Sequence, residues 1–369
     1  MKLSVKSILY LMFFSFVTIS ASEHGIYLQT ISNIKGDFYK VGDELKAKLK
    51  SAGFNILNYT DIATPDIVRQ KKEEQCGFKA KLILCSSNEF TKMMTSRGNK
   101  YLVASFLRIG LYETHDGVQI VIADPETINR IVFNDLWENG KENEYNQIVK
   151  KTKEFKANLI SAIHSISGGT KVENAMEPIR SDEDLRESSR DMFMMVGKMT
   201  FFNDEDQFPI IYSRKNTDGR KGLERLINEM KNNLKNFQPT KDDVEYRYVA
   251  SPEVLKWKII GQVYSPDSTS VVLGITRPQT EGLSFQIAGS KRESSANKCP
   301  GIDHLVAYPI EVLITQKDGQ LLVSTAREMF RMDMYFWDAG KMAFMNHMSM
   351  PSVLDESIKI ALLGKEFQK

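Results

Sequence analysis

The chain has 369 residues, and its composition, with 42% hydrophobic and 26% charged residues, is that of an ordinary folded protein. Its 49 Lys and Arg nearly balance 47 Asp and Glu, and nucleic-acid binding normally requires a basic excess, so we expect no nucleic-acid partner. A chain of this length exceeds the usual size of one hydrophobic core, which predicts two domains.

Residues 1–22 have the features of a secretory signal peptide. Lys2 and Lys6 form a positive region, and the apolar run that follows is too short for an ordinary transmembrane helix and ends in small residues. We expect cleavage after Ser22 or one residue earlier, which would leave a periplasmic or secreted protein without membrane attachment. The alternative is an uncleaved N-terminal anchor.

The rest of the chain contains an internal repeat. Residues 82–109 align without a gap to residues 285–312 at an offset of 203 positions, and both segments contain the triplet Leu-Val-Ala. Each apolar run continues as a predicted strand to an Asp-Gly pair, which readily supplies the positive φ angles of a tight hairpin turn. The offset is again 203 at Asp135 and Asp338.

The first copy predicts a strand, a helix and a strand before its hairpin. The helix is indicated by Asp37 as N-cap and by Val41, Leu45 and Leu49 at a spacing of four, and Gly53 stands at its end. Asp124-Pro125 opens a further helix after the hairpin.

The second copy repeats this order. A strand at residues 209–213 precedes a helix that we expect Asp218 to cap, and Ala326-Arg327 opens the helix after the second hairpin. The predicted unit is therefore β-α-β-β-(α)-β-β-α, an α+β fold.

The segment between the copies predicts an amphipathic helix over residues 143–166, followed by a charged linker. The predicted organisation is a signal peptide (1–22), a first domain (23–138), this helix and polar linker (139–205) and a second domain (206–369).

Several of these features together resemble the DUF302 domain, a small α+β module of unassigned function. They are, in the first copy, Gly53-Phe54, the strand ending at Cys85, the short helix at 89–95, Asp116-Gly117 and Asp124-Pro125, and in the second, Gly289, Pro309 and Asp318-Gly319. The resemblance implies an antiparallel sheet like that of the TATA-binding protein, packed on helices, in modules that tend to pair. Two tandem copies would then form a covalent pseudo-dimer.

The chain contains three Cys, at positions 76, 85 and 299. In an oxidising compartment an odd number leaves at least one thiol unpaired or paired outside the chain. Cys85 ends an apolar run, which predicts a buried thiol. The sequence does not select a disulfide.

The second copy carries ionisable groups around its Leu-Val-Ala triplet that the first copy lacks. They are Cys299, His304, Tyr308 and Glu311, whose counterparts are Ser96, Tyr101, Ser105 and Arg108. A thiol, an imidazole, a phenol and a carboxylate together predict a site for a small ligand or a metal. The alternative is a structural role, in which Tyr308-Pro309 shapes the entry of a strand and His304 caps it.

A Met-rich run follows the second hairpin. Met345, His347, Met348 and Met350 supply the thioethers and imidazole that suit Cu(I), so they predict a copper site. Met at helical spacing is also typical of a buried helix face, which is the alternative. Copper is the only cofactor that the sequence indicates.

The sequence lacks the usual catalytic signatures, such as His-Glu-x-x-His, Gly-x-Ser-x-Gly, a phosphate-binding loop and Cys-x-x-Cys. It therefore favours a non-enzymatic binding module for a small molecule or a protein. A periplasmic copper-binding or redox protein is the second hypothesis, and an enzyme that uses Cys299, His304 and Glu311 is the third. Whether two chains form a homodimer stays open.

Overall fold

The computed structural model describes residues 23–67, 69, 71–187, 208–245, 251–288, 298–339 and 349–365. The predicted signal peptide lies outside this part of the chain, as do Met345, His347 and Met348. We call residues 23–187 the first half and residues 208–365 the second half.

Strands and helices alternate along both halves. The strands are β1 (Glu23–His24), β2 (Tyr27–Ile34), β3 (Asn55–Asp61), β4 (Ala80–Ser86), β5 (Leu107–Thr114), β6 (Gly117–Ala123), β7 (Thr170–Ala175), β8 (Arg180–Ser181), β9 (Ile210–Lys215), β10 (Lys258–Tyr264), β11 (Ser270–Thr276), β12 (Ile310–Lys317) and β13 (Gln320–Thr325). The α-helices are α1 (Phe38–Ser51), α2 (Asn88–Thr95), α3 (Pro125–Val132), α4 (Asn134–Glu138), α5 (Glu142–His164), α6 (Asp182–Glu187), α7 (Arg220–Asn236), α8 (Lys241–Glu245), α9 (Pro278–Ser284), α10 (Glu328–Tyr335) and α11 (Met350–Leu363).

Short 3₁₀ helices complete the described elements, at Pro65–Ile67, Lys72–Glu74, Asn99–Ser105, Pro252–Leu255 and Ile302–Ala307. We call Asn99–Ser105 the first-half 3₁₀ helix and Ile302–Ala307 the second-half 3₁₀ helix. Among the described helices, none combines the length and the apolar character needed to cross a bilayer.

Two antiparallel sheets organise the two halves. The strand order is β3-β4-β5-β6-β2-β7 in the first half and β10-β11-β12-β13-β9 in the second. Apart from β7, the two orders correspond strand for strand, and each half follows the predicted order of strands and helices. The α+β class is therefore confirmed.

Local sequence signals explain several element boundaries. The carboxylate of Asp37 accepts hydrogen bonds from two backbone N–H groups in the first turn of α1, and Gly53 follows the helix with a φ of +88°. Asp124 caps α3 in the same way, with Pro125 in the first turn. The prediction that Asp218 caps α7 is wrong, because Gly219 occupies the N-cap position and Asp218 pairs with a side chain of the helix instead.

The Leu-Val-Ala triplets do not lie in strands, which corrects the sequence prediction. Both belong to the 3₁₀ helices, and the strands begin afterwards, at Leu107 and Ile310. The whole run is buried in both elements, so its hydrophobicity is continuous across the boundary and does not reveal where the helix ends.

The predicted polar linker is also corrected in part. Thr170–Ala175 forms the edge strand β7, which pairs with β2, although its side chains are mostly exposed. Backbone hydrogen bonds to the sheet hold this strand, so its sequence carries little of the apolar alternation by which strands are recognised.

The two halves dock by reciprocal contacts of their 3₁₀ helices. The second-half 3₁₀ helix packs on β5, where Leu305 and Val306 leave no room for a Cβ at Gly110. The first-half 3₁₀ helix packs on β11 and β12, and Phe106 at its end lies over Gly274. Each half thus places its 3₁₀ helix on the sheet of the other half.

Candidate functional site

A buried ion pair between Arg108 and Glu311 joins the two halves. The two positions are 203 residues apart, which is the offset of the repeat, so equivalent positions of the two halves meet. In a symmetric dimer, a residue that meets its own equivalent lies beside the two-fold axis. Here the first half supplies a cation and the second an anion.

Glu311 has further partners inside the second half. Arg331 pairs with its other carboxylate oxygen and also donates to the carbonyl oxygen of Ala307 at 2.9 Å. The hydroxyl of Tyr335 donates to Glu311 Oε1 at 3.2 Å. Burial is the largest single effect and lowers the pKa of Arg331, but the charges of Glu311, Glu328 and the nearby Tyr side chains together outweigh it and raise the pKa. This buried cluster surrounds the carboxylate of Glu311 with two Arg side chains and a Tyr hydroxyl.

His304 forms a second buried pair, which has an equivalent in the first half. Its Nε2 lies 2.9 Å from Oδ1 of Asp338, and its Nδ1 lies 2.6 Å from the carbonyl oxygen of Ser284. A carbonyl oxygen and a carboxylate only accept hydrogen bonds, so both ring nitrogens donate and the ring is an imidazolium. Burial is the largest single effect and lowers the pKa of His304, but the charge and hydrogen bond of Asp338, the charge of Asp303 and the hydrogen bond to Ser284 together outweigh it and raise the pKa. At the equivalent positions, the hydroxyl of Tyr101 donates to Asp135 at 2.8 Å.

Replacing His304 with Tyr is therefore expected to be milder than replacing it with Ala. H304A removes the imidazole that pairs with a buried carboxylate and is expected to cost about 3–5 kcal/mol of stability. H304Y restores the hydroxyl–carboxylate pair that the first half contains, and should recover at least about 1 kcal/mol of that loss. Urea denaturation of the two variants measures the difference; equal losses would contradict this equivalence of Tyr101 and His304.

Cys299 forms a disulfide with Cys76 of the first half. The two Cα atoms are 5.7 Å apart, within the range of disulfides, and the guanidinium of Arg69 donates to the carbonyl oxygen of the adjacent Lys298 at 2.9 Å. The sulfur of Cys299 is thus bonded and does not provide a thiolate for a metal or a nucleophile. Cys85 is buried and free, as its position predicted, and burial raises the pKa of its thiol.

Removing this disulfide should destabilise the docked halves. The bond closes a loop of 223 residues, and the loss of such a constraint typically costs about 2–5 kcal/mol. The paired substitution C76S/C299S is expected to lower the unfolding free energy by this amount, while C85S leaves the linkage intact. Peptide mapping of the unreduced protein should recover the peptides of Cys76 and Cys299 as one cross-linked species, and their recovery as separate thiols would refute the pairing.

A narrow cleft lies in the second half between α9, α10 and α11. It is lined by Thr280, Ile287, Tyr308, Ile310, Glu328, Arg331, Met332, Phe336, Met350, Pro351 and Leu354. Its enclosed volume is about 20 Å³, enough for one water-sized group. The hydroxyl of Tyr308 donates to the carbonyl oxygen of Thr280 at 2.7 Å at one side of the cleft.

The cleft contains the buried carboxyl group of Glu328. Its side chain is buried, and within the part of the chain that the structure describes, Oε1 has no hydrogen-bond partner. Burial raises the pKa of Glu328 to about 7, with Arg331 acting in the opposite direction and Asp355 in the same one. The carboxyl group therefore titrates near neutral pH, and it can either donate or accept a hydrogen bond.

The predicted ligand and metal residues separate in the structure. Of the predicted ligand residues, only Tyr308 lines the cleft; Cys299, His304 and Glu311 are held by other protein groups. Met350 lines the cleft beside Met332, and its three predicted copper-binding partners lie outside the described residues. No group of three or more His, Cys, Asp and Glu side chains suited to a metal ion occurs among the described residues.

Sequence reasoning missed Glu328 and Arg331. Both belong to α10, where charged residues interrupt an otherwise apolar, Met-rich run, EMFRMDMYF. Charged side chains are almost never fully buried without a partner. Charged residues within an apolar run were therefore the sequence feature by which Glu328 and Arg331 could have been found.

Searches find no protein-family model and no curated protein that match this chain. Among solved structures, the chain is similar to an uncharacterised conserved DUF302 protein from Bacillus stearothermophilus, with a TM-score of 0.29 and 10% sequence identity. The match covers 38% of this chain and 96% of that one. A DUF302 protein is thus a distant structural neighbour of the chain.

Proposed function

We propose that the protein is an exported, non-enzymatic binding protein in which two DUF302-like halves form a covalent pseudo-dimer. Three features support this arrangement: the matching strand orders, the reciprocal docking of the 3₁₀ helices and the meeting of Arg108 with Glu311 at equivalent positions. The disulfide supports export to the periplasm or the cell exterior, because such bonds persist in oxidising compartments.

The unpartnered carboxyl oxygen of Glu328 carries the proposal of a ligand site. A buried oxygen without a hydrogen bond costs about 1–3 kcal/mol, which a ligand that donates to it would recover. The walls of the cleft are mostly apolar and its enclosed part is small. The fitting ligand is a small molecule whose amine or hydroxyl group enters the cleft and donates to Glu328.

A non-enzymatic role is supported by the state of the candidate nucleophile. The enzyme hypothesis required Cys299 as a thiolate beside His304 and Glu311. The sulfur is in a disulfide, His304 is paired with Asp338, and Glu311 is paired with two Arg. These groups stabilise the interface and the second half.

Native mass spectrometry of protein purified from the periplasm tests the proposal. The wild-type protein is expected to retain a non-covalent mass that E328A loses and the matched surface variant E253A keeps, since Glu253 is exposed. A water molecule would satisfy the same oxygen, and in that case the wild type shows only the mass of the polypeptide. This outcome, or an adduct that E328A retains, would refute a ligand site at Glu328.

Copper binding is the second candidate, and one observation favours it. The thioether side chains of Met332 and Met350 line the same cleft as Glu328, so two soft donors lie beside a carboxyl group. Titration of the purified protein with Cu(I) against a competing chelator should show one bound equivalent that M332L/M350L weakens at least about tenfold. Binding no tighter than the chelator would end this hypothesis.

A further inference from the structure

We propose that the groove between α2 and α5 is a dimer interface, through which the first half docks on the first half of a second copy of this chain across a two-fold axis. This surface shares no residue with the cleft at Glu328, and its test does not depend on a ligand there.

The groove has a volume of about 460 Å³ and an apolar base. The rings of Phe90 and Phe155 stack at this base with their centroids 4.4 Å apart, and both are buried. Met93, which also lines the groove, is partly exposed. Both helices are described along their whole length. The groove thus offers a partner an apolar base with polar residues of two helices around it.

Each helix carries one acid and one base on its groove side, three residues apart. They are Glu89 and Lys92 on α2, and Lys151 and Glu154 on α5. Residues three apart in a helix lie on the same face. All four side chains are exposed, and within the described chain none of them forms an ion pair. The groove is therefore lined by equal numbers of unpaired cations and anions.

A surface with this pattern is its own electrostatic complement. A symmetric dimer brings the same patch of two copies together. When each helix lies antiparallel to its own copy, Glu89 of one copy meets Lys92 of the other, and Lys151 meets Glu154, so every acid faces a base. A patch with charges of one sign would instead repel its own copy. The charge pattern thus favours a second copy of this chain as the partner.

The second half covers the equivalent surface with its own chain. α9 follows the second strand of its sheet, as α2 does, and α11 packs on α7 and α10 as α5 packs on α1 and α3. α8 lies on α11, and the 3₁₀ helix Pro252–Leu255 lies on α9 and contacts α8. Leu255 is buried in this cover, and Asp243 of α8 pairs with Arg277 at the start of α9, at 2.6 Å.

The first half lacks this cover among the described residues, because its chain is shorter at that point. Residues 52–54 join α1 to β3, whereas residues 237–257 join α7 to β10 and supply the cover. The same face of the unit is therefore packed under helical segments in one half and open in the other. With one open face in each described chain, a symmetric contact there closes as a dimer.

Sedimentation velocity of the full mature protein measures the dimer. The wild type is expected to dimerise with a dissociation constant of about 1–100 μM, as for weak transient interfaces. Two charge variants test the interface: K92E/K151E makes the groove acidic, and E89K/E154K makes it basic. Each alone should dimerise at least about tenfold more weakly, because like charges then face each other. An equimolar mixture of the two should recover the dimer, which also shows that both variants fold.

The matched control is K231E/K235E, which reverses two exposed Lys on α7 and should keep the wild-type dimer. A wild type that stays monomeric over this concentration range would overturn the proposal. A dimer that both groove variants retain, or an equal loss in the control, would place the contact elsewhere and overturn it as well. Failure of the mixed variants to associate would show that these charges do not face one another between copies.

Discussion

Replacing Glu311 with Gln is expected to lower the free energy of unfolding by about 3–5 kcal/mol, as large an effect as that expected for H304A. The variant keeps the shape of the side chain and removes only its charge. Arg108 and Arg331, which both pair with Glu311, would then lose the buried carboxylate that joins them. Chemical denaturation of the full chain measures the loss.

The matched control for this substitution is Glu224→Gln. Glu224 pairs with Arg220 on the exposed surface of α7, at 2.9 Å, and such pairs contribute about 0–1 kcal/mol. A loss for E311Q no larger than that for E224Q would show that the Glu311 cluster does not hold the halves together.

The stability of the protein is expected to fall by about 2–3 kcal/mol between pH 5 and pH 8 because of Glu328. Its pKa is raised from 4.5 to about 7 in the folded protein, so the folded state binds this proton more tightly than the unfolded state. The stabilisation is complete below about pH 4.5 and is lost as the pH rises to about 7. The charged groups that face Glu328 are Arg331, Asp355, Glu311 and Arg277, together with the phenol of Tyr308.

Two other groups act in the same direction. Burial raises the pKa of Asp333 to about 6, and the charge of Asp338 raises that of His304, so each contributes stability that is lost as the pH rises through its folded pKa. Denaturation at a series of pH values should therefore show E328Q with a flatter profile than the wild type. The exposed variant E253Q should keep the wild-type slope, and an unchanged slope for E328Q would contradict its buried, proton-binding state.

Much of the architecture was readable from local signals. Asp37, the apolar positions of α1, the Asp-Gly turns and Asp124-Pro125 act within a few residues of one another, and they predicted the order of elements correctly. The 3₁₀ helices were mistaken for strands because they are buried by the opposite half, a contact that no local pattern records. β7 was missed for the related reason that its backbone, not its side chains, attaches it to the sheet. The predicted domain limits stay a prediction.

The predicted site residues were informative for a reason other than the one expected. Of the groups that distinguish the second copy, Cys299 and Glu311 bond to the first half, whereas His304 and Tyr308 bond to groups of the second half. At the contact, equivalent positions of the repeat carry unlike residues. Arg108 and Glu311 illustrate this: two Arg or two Glu at that point would repel. The roles of Cys299, His304 and Glu311 depended on Cys76, Asp338 and Arg331, and the sequence alone did not identify these partners.

A double-mutant cycle between Arg108 and Glu311 tests the proposed pseudo-dimer most directly. Urea denaturation of the wild type, R108M, E311Q and the double variant gives their coupling energy. Because the two residues are in direct, buried contact at equivalent positions, we predict a coupling of at least about 1 kcal/mol, so that the double variant is less destabilised than the sum of the single ones. A coupling below about 0.3 kcal/mol would mean that the two halves do not meet at these residues and would contradict the pseudo-dimer.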